Sequence, residues 1–87
     1  MLVADIPAPG VAAYQEYENR VLPLLERYGG RLERRLRTAD ECTEVHLVSF
    51  GSEAELAAFR ADPERLAAAP LLADSGAEQR LLTVRDV

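Results

Sequence analysis

The sequence predicts an α+β fold in which one antiparallel sheet of four strands carries two helices on one of its faces. Residues 43–50 form the most strand-like run, with apolar side chains on both faces, as expected of a central strand. Apolar residues with helical spacing run from Tyr14 to Tyr28. A helix-capping sequence begins at Ser52 and predicts a second helix.

The length of 87 residues predicts one domain that spans residues 1–87. Chains of this size bury only about 60 to 65 per cent of the surface that their unfolded form exposes. The composition, 48% hydrophobic and 29% charged, is typical of a soluble globular protein. Because the core is small, association of two copies is one way to bury more apolar surface.

The charge excludes several classes of function. Fifteen acidic and ten basic residues give a net charge of −5, so we expect no nucleic-acid partner and no membrane partner. All ten basic residues are arginine, which excludes Schiff-base chemistry at a lysine. The sequence shows no signal peptide and no apolar run of membrane-spanning length, so we expect a cytoplasmic location.

Cys42 is the single cysteine, and it lies beside Asp40, Glu41 and Glu44. Neighbouring carboxylates disfavour the thiolate form, so we expect an unreactive thiol in a turn. A single cysteine excludes an internal disulfide and a thiolate metal site. A disulfide between two copies stays open.

The first half of the chain predicts a strand, a helix and an edge strand. Residues 2–6 alternate as a strand that Pro7 ends. A helix follows. Because its apolar residues keep their helical spacing on both sides of Pro23, we expect one bent helix that stops at Gly29 and Gly30. Residues 31–38 alternate leucine with charged side chains, the pattern of an edge strand with one polar face.

Residues 39–42 turn the chain, and residues 43–50 return as the antiparallel partner strand. In this strand Val45, Leu47 and Ser49 share one face, and His46, Val48 and Phe50 share the other.

The second half predicts two helices and a strand. Ser52 caps the amide of Glu55 at the start of the first, and Asp62 with Pro63 starts a short helix through Ala69. Pro70 is expected to end that helix, and residues 80–87 to form the last strand. The order β-α-β-β-α-β is that of the ferredoxin-like split βαβ fold. Its helix-free face would be an exposed apolar patch, which predicts a homodimer.

Several segments resemble the dimeric α+β barrel superfamily. They are the Tyr-x-x-Tyr pattern of Tyr14 and Tyr17, residues 21–30 with their Gly-Gly break, the strand that ends in Phe50, and the helix start at Ser52. The likeness is nearest to small bacterial members of unknown function and more distant to antibiotic-biosynthesis-monooxygenase-like proteins.

This resemblance implies two four-stranded sheets that face each other across a dimer, with one pocket per subunit between sheet and helices. The superfamily includes cofactor-free monooxygenases of polyketide quinols and lactone isomerases, so the resemblance implies no cofactor. The chain differs from the monooxygenases in having no tryptophan, and from the small bacterial members in its shorter hairpin around residues 40–43.

His46 is the candidate catalytic residue, because it is the only side chain with an unperturbed pKa near neutrality. The alternative is a packed neutral histidine with a lowered pKa. With one histidine, a metal site would need carboxylates, and no spacing in the sequence predicts one, so we expect no metal. The candidate substrate-binding residues are Tyr14, Tyr17, Arg35 and Ser49.

The tyrosines alternatively pack in the core. Arg35 would bind an anionic or enol oxygen in the space between the two sheets, or else be solvated or ion-paired at the edge. Three functions stay open: a binding protein for a small aromatic or keto-enol metabolite, a cofactor-independent monooxygenase or isomerase, and a structural dimer without a ligand. The deciding observation is whether a cavity of roughly 300 Å³ or more opens beside His46.

Overall fold

The structure is a computed structural model that describes residues 1–87. Its helices and strands are β1 (Leu2–Asp5), α1 (Val11–Val21), β2 (Arg31–Arg37), β3 (Thr43–Ser49), α2 (Glu53–Arg60), α3 (Pro63–Ala67), α4 (Ala69–Ser75) and β4 (Glu78–Leu81). Two 3-10 helices, Ala8–Gly10 and Leu22–Tyr28, flank α1. No helix is both long enough and apolar enough to cross a membrane.

The four strands form one antiparallel sheet in the order β2-β3-β1-β4. This is the strand order of the ferredoxin-like fold, so the predicted fold class is confirmed. β3 lies inside the sheet, between β2 and β1. Its central position agrees with its apolar side chains on both faces.

The register of β1 against β3 defines the two faces of the sheet. Leu2 is opposite His46, and Val3 is opposite Val45. Residues opposite each other share a face. Ala4, which lies on the same face as Leu2, packs against Tyr14 of α1 in the core. His46 therefore faces the helices, and Val45 lies on the helix-free face, as the alternation in β3 predicted.

A β-bulge changes the phase of β2. Leu32 is opposite Val48, but Arg34 is opposite Leu47, so one extra residue lies between these pairs. The bulge therefore places Leu32 and Leu36 on opposite faces, although simple alternation predicts one shared face. Beyond the bulge, Arg35 and Arg37 face the helices.

Pro23 converts the end of the first helical segment into a 3-10 helix. α1 ends at Val21, and the 3-10 helix continues to Tyr28. Proline has no amide hydrogen and crowds the carbonyl one turn earlier, so α-helical hydrogen bonding does not continue through it. The segment ends at Gly29 in the left-handed conformation, with φ of 72°. The chain path is continuous as predicted, but its second part is not α-helical.

The predicted cap of α2 is present, because the Ser52 hydroxyl accepts from the Glu55 amide at 3.1 Å. Asp62 accepts from the amides of Glu64 and Arg65 and begins α3. The prediction that Pro70 ends this region was wrong. Pro70 lies in the first turn of α4, where its missing amide hydrogen has no cost.

The predicted strand at residues 80–87 was also wrong in its bounds, because β4 ends at Leu81. β4 pairs with β1, which is itself only four residues long. The Leu82 amide still donates to the Met1 carbonyl at 2.7 Å. The pairing of β4 with the residues before β1 thus extends one residue past Leu81.

Candidate functional site

A cavity of about 240 Å³ opens between the helix-facing side of the sheet and α1. Its walls are mostly apolar, with Leu2, Val48 and Phe50 among the residues that line it. Glu18 and His46 contribute polar groups to the same cavity. The volume is below the roughly 300 Å³ that was set as the deciding size, so the cavity does not meet that criterion and has room only for a ligand smaller than this limit.

His46 lies on the helix-facing side of β3 and is buried. Its Nε2 atom is 2.8 Å from Glu44 Oε1 and 2.9 Å from Glu18 Oε2. Burial disfavours the charged imidazolium, but the two carboxyl groups outweigh burial and raise the pKa of His46. This direction is opposite to the lowered pKa expected of a histidine packed as a neutral core group, because that expectation did not include these carboxyl groups.

Glu44 is the centre of a buried ion cluster. Arg35 Nε donates to its Oε1 at 3.2 Å, and Arg37 Nε donates to its Oε2 at 3.0 Å. The register explains these contacts, since Arg37 is directly opposite Glu44 and Arg35 is opposite His46. Burial favours the neutral acid, but hydrogen bonds from these neighbours and from Glu18 lower the pKa of Glu44 to about 2.

Glu18 reaches the same cluster from α1. It lies one turn after Tyr14, on the buried stripe of the helix, and is 2% exposed. Its Oε2 atom is 3.1 Å from Arg35 Nη2 and 2.9 Å from His46 Nε2, but neither contact has hydrogen-bond geometry, so no donor is hydrogen-bonded to either carboxyl oxygen of Glu18. Burial raises the pKa of Glu18, and the nearby Glu44 adds to the effect.

The two carboxyl groups therefore differ in pKa. Glu44 has a lowered pKa and Glu18 a raised one, although both are buried. When environments separate the pKa values of two neighbouring acids, one serves as a proton donor and the other stays charged. As the pH falls, Glu18 is therefore the first of the two acids to take up a proton.

Glu18, Glu44 and His46 also form a group of potential metal ligands, whose ligand atoms lie within 4.8 Å of one another. The sequence predicted no such group, because the three residues come from two separate elements. The guanidinium groups of Arg35 and Arg37 already neutralise Glu44. A cation would have to bind against these two positive charges, so the residues present fit a metal poorly.

Tyr14 and Tyr17 are both buried on α1, and both line the cavity. The Tyr14 hydroxyl accepts a hydrogen bond from Gln79 Nε2 at 3.0 Å. Burial raises the pKa of Tyr14 to about 12, so the hydroxyl stays neutral. Tyr17 packs with Val21 and Ala68. Each tyrosine therefore belongs to the core and to the cavity wall at once.

Arg35 and Ser49 do not lie where a ligand in the cavity would contact them. Arg35 binds Glu18 and Glu44 on the helix-facing side, so the expectation that it lies in a space between two sheets is wrong for this chain. The β-bulge is the physical reason. Ser49 is on the helix-free face, where its hydroxyl donates to Glu33 Oε1 at 2.8 Å.

Sequence reasoning missed Glu18, Glu44 and Gln79 as site residues. A signal existed for the two acids. Glu44 precedes His46 by two residues and so shares its face of the strand. Glu18 follows Tyr14 by four residues and so shares its face of the helix. Gln79 had no such signal, because its contact with Tyr14 depends on the pairing of β4 with β1.

No family model and no curated protein matches the chain. Among solved structures, the chain is similar to the crystal structure of an uncharacterized NIPSNAP domain protein from Burkholderia xenovorans. The TM-score is 0.62 at 21% sequence identity, and the match covers 98% of this chain and 95% of that chain. At this identity the similarity shows the fold, a ferredoxin-like α+β arrangement.

Proposed function

We propose that this protein binds a small aromatic or keto-enol metabolite in the cavity between the sheet and α1. The observation that carries the proposal is the composition of the cavity, which combines apolar walls with the buried polar groups of Glu18 and His46. Ligand sites typically combine such walls with a few fixed polar groups that orient the ligand.

The residues that line the cavity support a ligand with one apolar and one polar end. The apolar end would contact Leu2, Val48 and Phe50 on the sheet. The polar end would lie beside His46 and Glu18, which are held in place by the ion cluster around Glu44. A planar ring or enol with an attached oxygen matches this arrangement, and the volume of about 240 Å³ limits its size.

The test is binding of a panel of small phenols, quinols and 1,3-diketones, followed by amide chemical shifts in NMR spectra. We expect shifts confined to the cavity residues that saturate with ligand concentration. Val48→Phe fills the cavity and should abolish binding. Val84→Phe is the matched control, because Val84 is exposed and outside every strand and helix. Equal binding by both variants would place the ligand elsewhere.

A second candidate function is a cofactor-independent monooxygenase or isomerase that uses His46. The observation that favours it is the contact of 2.9 Å between His46 Nε2 and Glu18 Oε2 inside the cavity. Two titratable groups in contact can exchange a proton with a bound substrate. Since the pKa of His46 is raised, His46 would act first as the acid.

This candidate predicts exchange of the acidic C–H protons of a 1,3-diketone for deuterium, faster than in buffer, and lost in His46→Gln. For the oxygenase form, the protein should accelerate oxygen consumption by a quinol. Binding without either reaction would leave the binding function and exclude these two activities for the compounds tested.

We further propose that the protein is a homodimer built through the helix-free face of the sheet. The support is an apolar patch on that face, formed by Val3, Leu36, Val45 and Leu47. A structural dimer with no ligand is the remaining alternative, and the binding panel separates it from the first proposal.

A further inference from the structure

Arg60 and Arg65 are the only arginines that line the cavity, and neither is among the arginines that form ion pairs. Arg60 is the last residue of α2, and Arg65 lies in α3. This part of the cavity wall is therefore positively charged, although the chain as a whole carries a net charge of −5.

The acids nearest to these two arginines in sequence are engaged by a third arginine. Asp62 caps the start of α3 and forms an ion pair with Arg27 at 3.2 Å. Glu64 forms an ion pair with the same guanidinium, also at 3.2 Å. Arg27 thus occupies both acids, and Arg60 and Arg65 keep no carboxylate partner from the protein.

Two contacts hold the Arg65 side chain in place. Its Nη1 donates to the Arg60 carbonyl oxygen at the end of α2, at 2.9 Å. Its guanidinium lies over the Phe59 ring, 5.6 Å from the ring centroid. A guanidinium has five N–H donors around its edge, so stacking on a ring and one hydrogen bond leave most of them free. A fixed guanidinium with free donors matches the two oxygens of a carboxylate.

The arginines adjoin an apolar part of the cavity that is separate from the ion cluster. Phe59 packs against Phe50, with ring centroids 5.7 Å apart, and both rings line the cavity. Phe50 follows His46 by four residues, which is about 13 Å along an extended chain. A ligand ring that packs on Phe50 and Phe59 would therefore have the Arg65 guanidinium beside it.

We propose that the ligand of the cavity is an anion, namely a small aromatic or keto-enol carboxylate whose carboxylate group binds Arg65 and Arg60. This inference rests on the proposed binding function and names the charge of the ligand. Binding changes no covalent bond. Arg65 is half-buried and held in place, whereas Arg60 is exposed, so Arg65 contributes more of the affinity.

The charge of the ligand is tested with 4-hydroxybenzoate and 4-hydroxybenzamide, which share the ring and the hydroxyl group and differ in the carboxylate. Calorimetric titration in about 0.15 M NaCl screens charges farther away than about 8 Å. We expect 4-hydroxybenzoate to bind about tenfold more tightly, because hydrogen bonds to a charged acceptor are stronger than neutral ones. Equal or tighter binding of the amide would overturn the proposal.

Substitutions connect this preference to the two arginines. Arg65→Gln should weaken 4-hydroxybenzoate binding about tenfold and Arg60→Gln by less, with little change for the amide. Arg85→Gln is the matched control, because it removes the same charge from an exposed residue outside the cavity, and it should bind as the wild type does. An equal loss in Arg85→Gln, or an equal loss for both compounds, would overturn the proposal.

Arg65 also contacts the end of α2, so folding of its variant is checked by circular dichroism. Arg60→Gln changes an exposed side chain without an ion pair, and it tests the proposal should Arg65→Gln not fold. If neutral phenols bind and 4-hydroxybenzoate does not, the anionic ligand is overturned and the binding function stands. If neither binds, both are overturned. Undiminished 4-hydroxybenzoate binding in Val48→Phe would place the anion outside the cavity and overturn the proposal.

Discussion

His46 Nε2 lies 2.8 Å from Glu44 Oε1, and the two residues are two positions apart on the same face of β3. The histidine thus has a buried acid as its neighbour along its own strand, with a lowered pKa for that acid of about 2. Glu18 adds a second carboxyl group from α1. The protonation of His46 is therefore coupled to the helix packed above it.

The first prediction is that His46 titrates above the ordinary histidine value of 6.5, because its two carboxyl neighbours favour the imidazolium. A raised pKa in the folded state contributes stability that is fully present below pH 6.5 and is lost as the pH rises through the folded value. NMR titration of the imidazole protons measures the pKa, and urea unfolding across this range measures the stability. A folded pKa below 6.5 would contradict the pairing.

At low pH the dependence of stability on pH has the opposite sign, and it comes from Glu44. Its lowered pKa contributes stability that is present above pH 4.5 and is lost as the pH falls toward about 2. The second prediction is that Glu44→Gln destabilises the protein by about 2 kcal/mol, because Arg35 and Arg37 lose their charged partner. The value is below that of a fully buried pair because both arginine side chains are 34% exposed.

Urea unfolding of Glu44→Gln at neutral pH measures this loss. Glu16→Gln is the control, because its ion pair with Arg20 is exposed and should change the free energy of unfolding little. The Glu44 variant should also show a weaker dependence of stability on pH below 4.5. Equal stability of the two variants would mean that the cluster contributes nothing to folding.

The third prediction concerns the break between the 3-10 helix and β2. Gly29 has the positive φ of 72°, and a Cβ atom there would meet only the end of the flexible Glu55 side chain. At Gly30 a Cβ atom would lie 2.7 Å from Phe50 Cε1 and 3.0 Å from the Leu25 carbonyl oxygen. Gly30→Val should therefore destabilise by about 1–3 kcal/mol through overpacking rather than backbone strain. Gly29→Asn should cost less, because asparagine tolerates the left-handed conformation.

Thermal unfolding of the two glycine variants measures the difference. The aromatic signals of Phe50 should shift in Gly30→Val and stay unchanged in Gly29→Asn, because only the first residue is packed against the ring. A larger loss in Gly29→Asn would show that the φ angle, rather than the contact with Phe50, limits substitution here.

Local patterns were sufficient to predict most of the fold. The alternation in β3, the stripe of α1 and the Ser52 cap are each defined by neighbours within a few residues. Two elements depended on more. The sequence around Pro70 is compatible with the end of one helix and with the start of the next. Its place in the first turn of α4 goes with the packing of α4 against α1. The end of β4 depends on how far β1 extends.

The candidate site was less predictable, because it is made by contacts between distant segments. His46 was identified from its residue type alone. Its contact with Glu18 joins residues 28 positions apart and requires the helix to pack over β3. The face of Arg35 was reversed by a bulge that no residue pattern in β2 indicates. The sequence therefore supplied the chemical group but not its partners.

The last prediction is the oligomeric state, which follows from the helix-free face. Leu36, 42% exposed, lies opposite Val45, and Val45 lies opposite Val3, so the three form an apolar row across the sheet. A second copy that packs on this face would bury the row. Light scattering at micromolar concentration should therefore give twice the chain mass of 9.6 kDa.

Val45→Asp should shift the protein toward a monomer, because a carboxylate in the interface would lack a partner. Leu66→Asp is the control, since Leu66 is exposed on α3 in the helical layer, and it should leave the dimer intact. A wild-type monomer with intact secondary structure would refute the dimer and leave the exposed row unexplained.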